Sequence, residues 1–379
     1  MSLYVYIEPR DTVFFRDNRP FDAGVDTIAE SIIPSPLTLF GVIGNYYLDI
    51  NGISLKDFKD NGNTKLGNYD PELKNTRLKI KGPFFEYDEK VYLSTPANIW
   101  ASGAESYVLK PRDRNNLEWD ITQPDLQSLE IPRFGYGIQP ETLGGFLSLE
   151  GIRQYLSMDE IDIYNNGKKE EDLFIKENRY GHQLNDFSQT VEEGQLYSAR
   201  HIRFKDSLSN KKINKTKFML VVDGLEGSDF TEKVTRVGGE GKLTGIYTEE
   251  KNEKLIPDNN RVLEKIKKGK KFLLYFITPA IFKEGWDRNW PVEFKDTKMV
   301  GACVNKPVFI SGWQKSGKGM KGNPRSLFKT VPAGSVYFFK ADTWDDNSFQ
   351  ALYEKYNFRE SLSDFYPCAG FGTALIGAW

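Results

Sequence analysis

Cysteine and histidine are nearly missing from this chain, with two of each among 379 residues. Cys303 and Cys368 cannot build a disulfide framework, and without a CxxC pair or a His/Cys cluster there is no zinc signature. A reducing, cytosolic compartment is the default reading of so few thiols. Long apolar runs are lacking too. Nothing nears the 18 or so consecutive apolar residues that a membrane helix needs. The opening MSLYVYIEPRDTVFFRD has no basic flank ahead of an apolar stretch, so no signal peptide is expected. Nor does charge of one sign dominate: 51 Lys and Arg face 53 Asp and Glu, a net of −2. That excludes a globally basic nucleic-acid coat but leaves local basic faces open. What is present is ample core material, 39% hydrophobic and 27% charged, in a length that suits two domains.

The elements alternate between β and α character. Residues 3–7 are β-formers, and Val13-Phe14-Phe15 resumes after the break at Pro9–Asp11. Ser35 is a good N-cap and Pro36 suits a first helical position, so a helix is expected from there to Asn51-Gly52, with Leu37, Phe40, Gly44, Tyr47 and Leu48 at helical spacing. Residues 56–77 read as a polar excursion. Two β-rich runs around Asp88-Glu89 read as a hairpin. A strand followed by a helix is expected over 143–155. β character returns at 178–186, 194–204 and 217–225 as an antiparallel meander. A helix over 258–271, stopped by Gly269, precedes the buried strand candidate FLLYFITPAIF; KPVFISGW, SVYFFK, a helix over 349–358 and the closing AGFGTALIGAW follow. The pattern is α+β with mostly antiparallel pairing.

Three loops invite chemistry. Gly312 to Lys318 reads GxxxxGK after a strand-like run, most of a phosphate-binding P-loop. Yet Gly319 stands where Ser or Thr should hold magnesium, and a helix-poor Met-Lys-Gly-Asn-Pro follows. A simpler reading rests on charge: Lys306, Lys315, Lys318, Lys321, Arg325 and Lys329 occur with no acid between them, in a glycine-rich context that lets backbone approach a phosphate. The bland alternative is a solvated surface loop. A second basic run, 200–217, holds Arg200, Arg203 and five lysines against Asp206 alone, interleaved with His201 and Phe204 and preceded by Tyr197. Cations beside flat rings are what single-stranded RNA needs, although Ser207–Lys215 also reads as an ordinary charged hairpin turn. Arg236 to Lys242 is a third glycine-and-cation loop. His182 and His201 are the only imidazoles available to a metal-independent nuclease, and hydrogen-bonded structural histidines are the commoner case.

Several segments taken together resemble one family. They are IEPRDTVFFRDNRPF (7–21), IPSPLTLFGVIG (33–44), NRYGHQLND (178–186), GQLYSARHIRF (194–204), KPVFISGW (306–313), VPAGSVYFF (331–339) and GFGTALIGAW (370–379). In this order they resemble the third subunit of the type III-B CRISPR effector, the Cmr complex, within the RAMP superfamily. The resemblance implies two ferredoxin-like (RRM-like) βαββαβ domains with antiparallel sheets and long loop insertions, divided as 1–210 and 211–379. It also implies a non-catalytic, cytoplasmic RNA-binding subunit without a cofactor or metal. Such a subunit holds the 5′ tag of the guide crRNA and links the large polymerase-like subunit to the backbone RAMP subunit. The RNA-contacting positions it points to are Arg16, Arg19, the Ser35 helix start, Arg179 and His182, and the loops bearing Arg236, Lys242, Lys315, Lys318, Lys321 and Arg325. The basic run adds Arg200 and Arg203. The alternatives are a RAMP endoribonuclease that uses His182 or His201, the equivalent type III-A subunit, or a nucleotide switch built on Gly312–Gly319.

Overall fold

A computed structural model describes residues 2–16, 28–62, 64–102, 105–111, 141–184, 188, 190–209, 212–238, 241–314 and 323–379. Two antiparallel sheets organise them. The first has eight strands in the spatial order Val234–Val237, Lys242–Lys251, Ser2–Pro9, Lys217–Asp223, Lys79–Tyr87, Lys90–Ser94, Phe146–Ser148, Gly167–Lys168. The second has four: Lys298–Cys303, Val336–Lys340, Lys271–Phe276, Ala374–Gly377. Val5 lies opposite both Leu220 and Thr248, so the opening strand is central to the first sheet. Alternation then does the sorting. Leu3, Val5 and Ile7 join the core beneath the first helix, while Tyr4 and Tyr6 pack with Met219 and Val221 on the opposite face.

The sheets part between Lys251 and Lys271. Residues 217–251, placed in the second unit by the sequence reading, complete the first sheet. They carry ordinary strand patterns, and only their pairing with residues 2–9 reveals where they belong.

The helices form where local chemistry favours them. Helix α1 (Pro36–Ile50) starts as expected: the Ser35 hydroxyl accepts the Thr38 N–H, and Pro36 opens the first turn. It buries Leu39, Val42, Ile43, Tyr46 and Tyr47 against the first sheet. The excursion after it contains α2 (Leu55–Asn61), capped by Ser54. Asp88 and Glu89 both have positive φ, the two-residue turn whose twist suits a hairpin. Helix α3 (Leu149–Leu156) and the one-turn helices α4 (Ile163–Asn166) and α5 (Glu170–Leu173) follow. Helix α6 (Asn260–Gly269) turns Val262, Leu263 and Ile266 inward and packs beside α7 (Asp346–Tyr356) over the second sheet.

The two sheets are joined through α3. The Ala378 N–H donates to the Leu156 carbonyl, and Ile152, Tyr155 and Leu156 share one core with Leu273, Tyr337 and Ile376. Outside both sheets, strands Phe174–Leu184 and Val191–Phe204 form a long hairpin flanked by Ile28–Glu30. The meander expected there therefore divides, because this hairpin stands apart and only 217–223 enters the large sheet. No helix among the described residues is long and apolar enough to cross a membrane.

Candidate nucleic-acid interface

Helix α1 buries one side and leaves the other open. A Cβ built at Gly41 or Gly44 meets nothing within 4 Å, so that side forms the floor of a groove rather than a packing surface. The groove encloses about 960 Å³. Its walls come from α2, the 66–76 segment, Glu232–Gly238 beside the strand Val234–Val237, and Ser311, Gly312 and Arg325. Two of the three glycine-and-cation loops singled out in the sequence thus meet over one helix.

Each loop reaches the groove for a local reason. Gly238 has a φ of +72°, and an added Cβ would sit 2.6 Å from the Phe14 carbonyl oxygen, so the chain passes too close for any side chain. The exposed Arg236 just before it has no ion-pair partner among the described residues. On the other wall the Arg325 N–H donates to the Gly312 carbonyl at 2.7 Å, and the Ser311 hydroxyl donates to the Arg325 carbonyl at 2.8 Å. The Arg325 guanidinium lies 5.9 Å from the Tyr366 ring centre and has no carboxylate partner among the described residues. Lys59, whose ammonium sits 5.2 Å from the Tyr69 ring, is a third cation on the lining, and Tyr46 is a further ring. Nothing in the periodicity of 56–77 pointed to Lys59 or Tyr69.

Three acids share the groove: Asp49, Asp70 and Glu232. Asp70 is already committed. Burial works to raise its carboxyl, but N–H donors from Asn75, Glu72 and Lys74 outweigh that and hold it below the usual carboxylate range. Its charge is spent on its own loop.

The hairpin arginines behave differently. Arg179 lies 3.1 Å from Asp11 and 3.0 Å from Glu177; Arg203 lies 3.1 Å from Asp11 and 2.6 Å from Glu177. These four charges close into a neutral ring. The hydrogen bond from Arg203, helped by Arg179, lowers the Glu177 carboxyl, and Glu177 in turn raises Arg203. Burial opposes ionisation of Asp11, yet Arg179 and Arg203 prevail and lower it. Arg200 donates to Glu30 at 2.6 Å and to Asn178 at 3.1 Å. All three arginines of this segment are therefore held by the chain's own oxygens.

The two imidazoles also part company. His182 is exposed on the hairpin. His201 is 1% exposed, stacks on Phe14 at 4.9 Å and 18°, and lies 3.1 Å from the Thr12 hydroxyl. It is a packed structural histidine that substrate cannot reach. Ser35 serves α1 as its cap, and Arg16 bridges Ser31 across the chain entering that helix. Lys242 opens the strand Lys242–Lys251 opposite Val237. Arg19, Lys315, Lys318 and Lys321 lie outside the described residues. The GxxxxGK segment is flanked by Trp313–Gln314 and Asn323–Pro324, which pair with each other as a hairpin stem. Among the described residues no helix opens there. Nor do the described residues contain a group of three or more His, Cys, Asp or Glu able to hold a metal.

Comparison with known proteins decides the family. The chain matches Cas_Cmr3, described as CRISPR-associated protein (Cas_Cmr3), over residues 5–379. It belongs to the Cas_Cmr3 family. The resemblance drawn from the seven sequence segments is therefore borne out along the whole chain. No curated protein matches it. Among solved structures, a chain in the cryo-EM structure of the Type III-B Cmr-beta bound to cognate target RNA and AMPPnP, state 1, is 16% identical. It has a TM-score of 0.50, with 88% of this chain and 86% of that chain covered. A chain of the same assembly bound to cognate target RNA gives 15% identity and a TM-score of 0.49, with coverage of 88% and 86%. The Csm3-Csm4 subcomplex of the type III-A CRISPR-Cas interference complex gives 12% and 0.36, with coverage of 90% and 93%. The first of these supports a shared fold, and the mixed α+β architecture with antiparallel sheets agrees with it.

Proposed function

We propose that this Cas_Cmr3 chain is the non-catalytic, RNA-binding subunit of a cytoplasmic type III-B interference complex. In this reading it holds the 5′ tag of the guide crRNA and joins the large polymerase-like subunit to the backbone subunit. The observation that carries the proposal is the α1 groove, where Arg236 and Arg325 face one channel without carboxylates to neutralise them. Unpaired guanidiniums on opposite walls suit a phosphate backbone, and Tyr46 and Tyr69 supply flat surfaces beside it. Open space over Gly41 and Gly44 lets a strand lie close to the helix.

The fold supports the two-unit reading. In the first sheet, strands 2–9, 79–87, 217–223 and 242–251 stand in the order fourth, first, third, second; in the second sheet, strands 271–276, 298–303, 336–340 and 374–377 do the same. That is the strand order of a ferredoxin-like unit. Each copy keeps one crossover helix, α1 in the first and α7 in the second. The endoribonuclease alternative is weakened because His201 is enclosed.

The test is a mobility-shift titration of the assembled complex with guide RNA carrying or lacking its tag. Replacing Lys315, Lys318, Lys321 and Arg325 together is expected to weaken tag-dependent binding and flatten the salt dependence. Equal binding by the quadruple variant removes that loop from the interface. A specific cut by the pure chain in chelator, lost in His182→Ala, overturns the non-catalytic reading.

A further inference from the structure

A second cavity adjoins the groove and differs from it in character. It encloses about 340 Å³ where both sheets meet the start of α1. Its lining is dominated by rings, Phe84, Phe85, Tyr92, Phe146 and Phe174. Consecutive residues of the same two segments serve both spaces. Ile33–Pro36 and Ile310 line the cavity, while Leu37–Phe40 and Ser311–Gly312 line the groove. The cavity therefore opens beside the end of the groove at α1's first turn.

Resting on the proposed RNA-binding role, we infer that this cavity receives one unstacked nucleobase of the strand lying in the α1 groove. Its volume is at the small end of the range of about 300–1,000 Å³ for ligand sites, suited to a single nucleoside rather than a longer segment. Flat rings offer stacking that tolerates any base. The polar groups at the lining match a nucleotide rather than an aliphatic side chain. Exposed Lys176 supplies counter-charge to a phosphate, and exposed Glu170 offers an acceptor to ring or exocyclic N–H groups. The positive end of the fifteen-residue helix α1 faces the same space through Ser35 and Pro36. A protein anchor would leave this charge pair without a use. A base attached to a phosphate engages both.

An abasic scan tests the inference. The full chain is titrated with single-stranded RNAs in which one nucleotide at a time lacks its base. One position is expected to lose about tenfold in affinity and the others little, the usual worth of one stacked base. Ala333→Phe, which fills the cavity from a half-buried lining position, is expected to bind intact RNA about tenfold more weakly and to abolish the abasic penalty. Val308→Trp, at a lining residue 41% exposed, repeats the plug should Ala333→Phe not fold. A wild-type chain that binds RNA with a flat scan overturns the inference, as does a folded plugged variant that keeps the penalty. A wild-type chain that binds no RNA overturns the proposed function itself, and this inference with it.

Discussion

Arg203 on the long hairpin and Arg325 at the groove are the same residue in opposite circumstances. The first is clasped by Glu177 and Asp11 at 2.6 and 3.1 Å; the second rests near a tyrosine ring with no carboxylate among its described neighbours. Arg179 and Arg200 side with Arg203, and Arg236 sides with Arg325. The difference teaches that a basic run in a sequence says little about available charge. Guanidiniums already supplied with carboxylate partners contribute almost no field at a distance, whereas two unneutralised ones across a channel create a local attraction in a chain of net −2. The groove, not the richer basic run, is the better electrostatic site.

The comparison breaks most decisively through charge reversal. Arg236→Glu with Arg325→Glu is expected to weaken RNA binding more than tenfold, while replacing both by Ala lowers the log–log salt slope by about two, one per lost phosphate contact. Filter binding across a salt series measures both, and an unchanged slope removes these residues from the interface. Smaller and opposite in sign is the effect of unclasping the hairpin. Asp11→Asn with Glu177→Gln frees Arg179 and Arg203 and is expected to tighten RNA binding about two- to fivefold, the scale of exposed ion pairs. Weaker binding by this variant shows that the carboxylates themselves are needed.

Smaller again, Arg203→Ala is expected to cost no more than about 1 kcal/mol in urea unfolding and to leave RNA affinity unaltered, because that side chain is partly exposed and already engaged. The least effect is expected from pH. The native Asp11 and Glu177 carboxyls are both held below their ordinary values. Their contribution is therefore complete above the ordinary carboxylate range and fades as pH falls through the native values. Urea midpoints of wild type and Glu177→Gln should differ at neutral pH and converge in acid; divergence in acid contradicts the network.

Sequence reading succeeded where the determinant is local. Ser35 with Pro36 fixed the start of α1, and Asn259 and the periodic Val262, Leu263 and Ile266 produced α6 close to its expected span. The Asp88-Glu89 turn and the short strand before α3 are of the same kind. It fell short where the determinant is distant. Asp11 and Arg179 stand 168 positions apart and Glu30 and Arg200 stand 170, so no window reveals their pairing. The enclosure of His201 depends on Thr12 and Phe14 in the same way. Residues 217–251 look like any β-rich run until their partners are known. Arg236 and Arg325 were found from composition, but that they share one groove is a property of topology alone.

The central position of the strand Ser2–Pro9, paired on both sides with residues beyond 216, has a kinetic cost. During synthesis this strand emerges long before either neighbour, leaving two unsatisfied edges and alternating apolar side chains in water. The first sheet can close only after most of the polypeptide has left the ribosome. The chain should therefore fold slowly, depend on chaperone holding while it waits, and lose soluble yield steeply when translation is truncated before Lys251.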